Sequence, residues 1–260
     1  MLRACSTCFT LEKRGSAPRE WEDAAAFDDA ATIPRCVVVD GATEAYDALR
    51  WVEHLAGSFV DDTGPALTGP GLQAWFGRVQ QQWRAEAPDR FATVIEELKF
   101  HEEGSFATFL GCRLVGLDGP GARWEAAALG DAVLFHVRGG RLMSHFPPLS
   151  VDDFGLAPDG ISTHTAALEP MVRALQFAGA DLADGDLLYL ATDALARWLL
   201  LTAPDDGPQL WGLLDELDHD ATFAALVADQ RAAGRLHNDD VTLLRVRISA
   251  AEPGSLVVCL

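Results

Sequence analysis

Four apolar runs in this chain begin or end at carboxylates. They are Glu22-Asp23 in WEDAAAF, Asp40-Gly41 in CVVVDGATEA, Asp193 in LLYLATDALARWL and Asp239-Asp240 in NDDVTLLRVRI. Runs such as VVV and LLYLA read as buried strands. A carboxylate at the end of a buried strand is costly unless something pairs with it. Four such stations in one chain suggest a shared partner, and the natural one is a hard divalent cation that takes oxygen ligands.

Taken singly, each station has an ordinary explanation. Asp40 before Gly41 suits a turn, as do Asp239 and Asp240 ahead of a strand. Asp193 suits a helix N-cap, and Glu22 with Asp23 suits a solvated pair. Taken together they supply the parts of a two-ion site. Ions about 4 Å apart need one bridging carboxylate and terminal carboxylates from other elements. A glycine after the bridging Asp leaves that residue's carbonyl uncrowded by a Cβ.

The rest of the pattern alternates between strand and helix. Residues 1–18 read as a first strand or an ordered arm, and 35–40 as a buried strand. A helix is expected from Glu44, with Ala45, Leu49, Val52, Leu55 and Phe59 at helical spacing and Thr43 as its N-cap. A Gly/Pro connection at 63–71 leads to a second helix carrying Leu72, Trp75, Phe76, Val79 and Trp83. Strands are expected at 106–116, 124–129 and 133–137, with a tight hairpin at Gly139-Gly140 into 141–143. Residues 146–165 read as a long loop, 166–178 as a helix and 187–191 as a strand. Helices at 194–202 and 220–233 follow, then a strand at 241–248 and a C-terminal extension over 249–260. The succession fits one layered α+β domain across 1–260 better than strict βαβ winding.

Charge and composition narrow the partners. With 260 residues and a formal net charge of −19, the chain is a poor match for nucleic-acid backbones or anionic membranes. A solvated acidic surface is the ordinary reason for such a charge; attraction of metal ions or basic protein segments is the functional one. No apolar run reaches the ~18 residues of a membrane span, and the N-terminus lacks the apolar core of a secretory signal. A cytoplasmic protein is the expectation. Cys5 and Cys8 form a lone C-x-x-C without the second pair that zinc needs. Cys36, Cys112 and Cys259 read as small buried hydrophobes. The histidines show no H-x-H or H-E-x-x-H spacing. His136 is expected to be packed or at the surface, and His237 is a candidate outer neighbour of Asp239.

The ordered set WEDA, VVVDGA, GDA, LYLATDALARWL and NDDVTLLRV resembles the metal-dependent type 2C protein Ser/Thr phosphatases. That family carries an ED pair near its start, a V-x-D-G station, a G-D-S/A hairpin, a TDG station and a D-N/D-x-T terminal strand. The resemblance runs from about residue 19 to 248. It implies a four-layer α-β-β-α sandwich, two central antiparallel sheets flanked by helices, with two Mn²⁺ or Mg²⁺ ions at one end and a third, looser ion nearby. It places Asp40 as the bridging ligand with the Gly41 carbonyl beside it, and Asp193 and Asp239 on the other ion. Asp23 joins the ligand set, Glu22 and Asp240 act through waters, and Asp131 of the GDA hairpin serves the third ion. Asp40, Asp193 and Asp239 then form the catalytic core. The implied activity is hydrolysis of a phosphorylated protein substrate by an activated water, by a monomer and without a phosphoenzyme.

Departures from the family pattern leave a second reading open. The phosphate-binding Arg lies four residues before the Glu of the ED pair in the family; here that place is Pro18, and Arg19 or Arg14 must take over the role. Ala42 stands where the eukaryotic branch often has a His, Thr43-Glu44 replace small residues, and Ala194 replaces a Gly. A catalytically weak or inactive phosphatase-like binding or regulatory module is the alternative. A third is an unrelated α+β fold in which the carboxylates lie scattered.

Overall fold

The computed structural model describes residues 1–15, 21–43, 45–62, 64–86, 91, 93–155 and 158–251. In chain order the strands are β1 (Leu2–Leu11), β2 (Asp23–Asp28), β3 (Arg35–Gly41), β4 (Phe106–Val115), β5 (Arg123–Leu129), β6 (Val133–Arg138), β7 (Arg141–Phe146), β8 (Ile161–Ser162), β9 (Gln176–Asp181), β10 (Leu187–Ala191) and β11 (Val241–Ala250). The helices are α1 (Ala48–Val60), α2 (Gly69–Ala85), α3 (Val94–Leu98), α4 (Leu168–Ala174), α5 (Asp193–Asp215) and α6 (Asp220–Ala232). One sheet has the order β1-β11-β10-β6-β7. The other has β2-β3-β4-β5-β9, with β8 added on β4. Every pairing is antiparallel.

The strands are apolar on both faces because both faces are covered, and successive side chains point to opposite sides. In β3, Val37 and Val39 pack under α1 and α2, while Cys36 and Val38 face the other sheet. In β11, Val241 and Leu243 pack under α5 and α6, while Leu244, Val246 and Ile248 point inward. Three apolar cores result: one between the sheets and one beneath each helical layer. This is the four-layer α-β-β-α sandwich that the sequence implied. Helix α1 supplies Trp51, Val52, Leu55, Ala56 and Phe59 along one stripe. Helix α2 starts where the Thr68 hydroxyl accepts from the Gly71 N–H, with Pro70 in the first turn.

Several expectations need correction. Thr43 does not cap α1; Asp47 precedes the helix in a left-handed conformation (φ 48°) without a side-chain cap. The helix expected over 166–178 stops at Ala174, and residues 176–181 pair with β5 as an edge strand. Open hydrogen-bonding groups on β5 decide that segment against its weak helical pattern. The helix expected at 194–202 is the first part of the 23-residue α5, which carries Pro204 and Pro208 and breaks its helical dihedrals at Asp206. The loop expected at 146–165 contains β8. Helix α3 and the π-helical turn 99–103 that continues it were not anticipated. The last strand reaches Ala250, two residues into the expected extension.

His136 is packed. The Trp124 indole N–H of one sheet donates to His136 Nδ1 of the other at 3.2 Å. That leaves Nε2 carrying the proton, which it gives to Asp186 at 3.0 Å. Asp186 is fully buried and also accepts from Arg138 Nε at 2.6 Å, Arg138 Nη2 at 2.7 Å and the Ala183 N–H at 2.8 Å. The relay pins the two sheets together.

Candidate functional site

Strand register brings the acidic stations to one rim. Asp23 lies opposite Asp40, and Asp40 opposite Thr108, in the β2-β3-β4 ladder. In the other sheet Ala191 pairs with both Leu243 and Val133. The end of β10 therefore lies beside the starts of β11 and β6, and the residues just outside them are Asp193, Asp239-Asp240 and Asp131. Between the two sheet ends lies a cavity of about 220 Å³. Six carboxylates line it: Glu22, Asp40, Asp131, Asp193, Asp239 and Asp240. Gly41, Ala42, Thr43, Phe106, Thr108, Gly155 and Pro158 complete the wall. No described Lys, Arg or His lines it.

The electrostatic consequence is mutual destabilisation. Asp40 is held well above the usual carboxylate range by burial, and then by the charges of Asp23, Asp193, Asp131 and Asp239. Burial pushes Asp131 up to about 7, with Asp193 adding to it. Burial and Asp239 raise Asp193, against the Ala194 N–H and a side-chain hydrogen bond with Asp40 that favour its charge. A cation would relieve the crowding that burial and neighbouring carboxylates impose on Asp40 and Asp193. Cations stand at the rim outside the cavity wall: the Lys13 ammonium lies 3.4 Å from Glu22 Oε2, and the Arg231 guanidinium donates to the Asp239 and Glu12 carbonyls.

The other expected residues sort by what they touch. Asp23 does not line the cavity. It is 2% exposed behind Asp40, where its Oδ2 accepts from Thr242 Oγ1 at 2.8 Å and Thr192 Oγ1 at 3.1 Å. Burial pushes it up to about 8 despite the Thr242 and Thr192 hydroxyls. Asp240 holds the chain: its Oδ1 accepts from the Lys13 N–H at 2.7 Å and its Oδ2 from the Glu22 N–H at 3.2 Å. Asp239 lies exposed at the mouth, with its Oδ1 accepting from the Asp240 N–H at 2.9 Å. His237 is exposed and close enough for its charge to favour ionised Asp193. Arg19 lies outside the described residues. Arg14 donates to the Ala228 carbonyl at 3.3 Å, and its backbone pairs with Asn238, so it is committed to α6.

Gly41 is required for a further reason. A Cβ there would meet the Glu22 carbonyl oxygen at 2.8 Å and Val52 Cγ1 at 3.1 Å, where the Gly41 N–H also donates to Glu22 O at 2.9 Å. Gly130, in the turn that presents Asp131, has φ +114°, and a Cβ there would meet Thr108 Cβ at 2.6 Å and the Asp159 carbonyl oxygen at 2.7 Å. Sequence reasoning missed Thr108, Thr192 and Thr242. The last two each sit within two residues of an acidic station at a strand end, and that adjacency was the available signal. Phe106, Gly155 and Pro158 gave none.

The donor set suits a hard divalent ion. It is all oxygen, dense in negative charge and free of lining cations. The Thr108 hydroxyl on the cavity wall is buried without a partner. As they stand, no three or more carboxylate, imidazole or thiol groups among the described residues are arranged to grip an ion. The residues fit the group in chemistry and location, with their side chains spread around the cavity.

No protein-family model and no curated protein matches the sequence. Solved structures do match in shape. The photosystem II phosphatase PBCP superposes with a TM-score of 0.60 at 14% identity, over 95% of this chain and 98% of that one. The catalytic domain of the serine/threonine protein phosphatase PstP, solved with two manganese ions, gives 0.58 at 15%, over 96% and 100%. RsbX, solved with magnesium, gives 0.53 at 13%, over 95% and 96%. The chain has the fold of the type 2C Ser/Thr phosphatases that its motifs resemble. No helix among the described residues is long and apolar enough to cross a membrane.

Proposed function

We propose that this protein is a metal-dependent phosphatase that hydrolyses phosphoserine or phosphothreonine on a protein. The observation that carries the reading is the gathering of six carboxylates, remote in sequence, around one cavity with no described cation in its wall. The fold it shares with the phosphatases above supports the same reading. We take residues 1–260 as one domain acting as a monomer in the cytoplasm.

Asp40, Asp131, Asp193, Asp239 and the Gly41 carbonyl are the groups that would hold two Mn²⁺ or Mg²⁺ ions and a looser third. When bound, such ions supply positive charge to phosphoryl oxygens and lower the pKa of a coordinated water. The chain's own residues do the rest. Asp40 and Asp193 would bind a metal ion as carboxylates, releasing the protons that burial favours on them. Asp23, held by Thr192 and Thr242, ties the start of β2 to the ends of β10 and β11. Asp240 ties Lys13 and Glu22 to the start of β11, which sets the rim. Phe106 and Pro158 give the cavity apolar walls that limit water. The phosphate-binding role expected of Arg19 remains part of the proposal.

A reading without turnover is favoured by one observation: Arg14 is committed to α6 and no described cation lines the cavity to grip a phosphate. Hydrolysis of an aryl phosphate with Mn²⁺, with and without chelator, separates the two. Metal-dependent turnover that is lost in Asp40→Asn and Asp193→Asn supports the phosphatase. Metal binding with no turnover of aryl phosphate or phosphopeptide supports the binding module.

A further inference from the structure

A short helix that ends eight residues before the cavity-lining Phe106 holds its apolar side chains in water. In α3, Val94 and Ile95 are 71% exposed and Leu98 is 49% exposed. Three of five residues on one short helix thus offer apolar surface to water, a feature that marks interaction sites when such residues are contiguous. The surrounding charge is acidic. Residues 94–103 hold Glu96, Glu97, Glu102 and Glu103 against Lys99.

The segment is anchored to the cavity wall. Ala42 and Phe106 both line the cavity, and the Ala42 N–H donates to the Phe106 carbonyl at 3.0 Å. Four residues on, the Tyr46 N–H donates to the Gly104 carbonyl at 2.9 Å, and the Ser105 hydroxyl donates to the Tyr46 carbonyl. The Tyr46 ring meets Phe100 edge-on, with centroids 5.2 Å apart. Glu96 is close enough for its charge to bear on Tyr46. The exposed helix is therefore carried on the same backbone that forms one side of the cavity.

We propose that α3 and the turn after it are a docking shelf for a basic, apolar segment of the phosphoprotein substrate, flanking the phosphorylated residue. This rests on the phosphatase reading above and adds the class of substrate. Two complementarities argue for that occupant. The apolar side chains call for apolar partners, and the exposed Glu97, Glu102 and Glu103 call for Lys or Arg while disfavouring acidic chains. The chain that leaves the helix runs through Gly104 and Ser105 into Phe106 on the cavity wall, and an extended substrate segment, at about 3.3 Å per residue, would follow the same course from shelf to cavity.

The test measures binding first and turnover second. Two fluorescent peptides with Arg and Leu around a central serine, one phosphorylated and one not, are titrated by anisotropy, beside a control with Glu and Ser in the flanks. The proteins are the full chain, the triple variant Val94→Ser/Ile95→Ser/Leu98→Ser, and Glu97→Lys/Glu102→Lys. Circular dichroism verifies that each is folded. The triple variant is expected to bind both Arg/Leu peptides about tenfold more weakly, with the control unchanged. The charge variant is expected to lose affinity severalfold and to lose salt sensitivity. Equal affinity of the full chain and the triple variant for the unphosphorylated peptide overturns the proposal. So does self-association of the full chain, seen by sedimentation velocity and abolished in the triple variant, which would assign the shelf to a second copy. Turnover of an aryl phosphate with Mn²⁺ reads the active-site proposal separately. Its absence would sink the phosphatase reading, while the unphosphorylated peptide still decides whether the shelf binds.

Discussion

The two ends of the sandwich both bury carboxylates, and they treat them in opposite ways. At one end Asp186 accepts from Arg138, His136 and the Ala183 N–H, and the Arg138, Ala183 and His136 contacts hold it below the usual range in spite of burial. At the other end Asp23, Asp40, Asp131 and Asp193 crowd together, and burial with mutual repulsion holds all four above it. A fold that supplies Arg and His to one buried carboxylate leaves several others without a charged partner. The paired end is built for cohesion. The unpaired end, on the proposal above, would receive a cation, because no described Lys, Arg or His lines it.

The contrast is tested hardest by one substitution at each end. Asp40→Asn is expected to lower Mn²⁺-dependent aryl phosphate turnover about a thousandfold. Its metal-free thermal midpoint should stay level or rise, since a crowded carboxylate is removed. Asp186→Asn should do the reverse. It should cost about 1–3 kcal/mol in urea unfolding, because the buried acceptor of Arg138, His136 and the Ala183 N–H loses its charge while Arg138 itself stays partly solvated, and any turnover of the folded protein at low temperature is kept. Loss of stability in Asp40→Asn with little change in Asp186→Asn would erase the distinction.

The pH dependence of stability should also split by end. Asp23 and Asp131 titrate near 8 and 7 in the fold, against about 3.8 unfolded. Between those values the unfolded chain binds fewer protons, so their contribution is complete below about 3.8 and is lost as pH rises toward 7 and 8. Asp186, depressed below 3.8, contributes fully above that value and loses its contribution as pH falls through its folded-state value. Metal-free protein should therefore melt at a higher temperature at pH 5 than at pH 8, and Mn²⁺ should narrow the gap. A metal-free midpoint that rises from pH 5 to pH 8 would count against the unpaired end. The smallest effect is expected from Gly41→Ala. Its Cβ must displace Glu22 or α1, at about 1–3 kcal/mol of stability in a denaturant titration.

Much of this architecture was legible because strands covered on both faces leave continuous apolar runs, as in residues 35–40 and 241–248. The acidic stations stood out for the same reason: Asp40 and Asp193 interrupt patterns that otherwise exclude charge. Residues 176–181 were misread because an edge strand draws its stability from a neighbour's backbone, which no local pattern displays. Asp23 and Asp240 were legible as acids and not as braces, since their partners, Thr192, Thr242 and the Lys13 and Glu22 N–H groups, come from other parts of the chain. Helix α3 escaped notice because a helix that buries nothing has no core-facing stripe.

The most direct test of the unpaired end is isothermal titration with Mn²⁺ at pH 7 in two buffers of different ionisation enthalpy, on the full chain and on Asp193→Asn. The account predicts Mn²⁺ binding to the full chain with net release of protons, as metal displaces those held by Asp40 and its neighbours, and weaker binding with fewer protons released by the variant. Failure of the full chain to bind Mn²⁺, or binding of equal strength and proton count in both proteins, would contradict it.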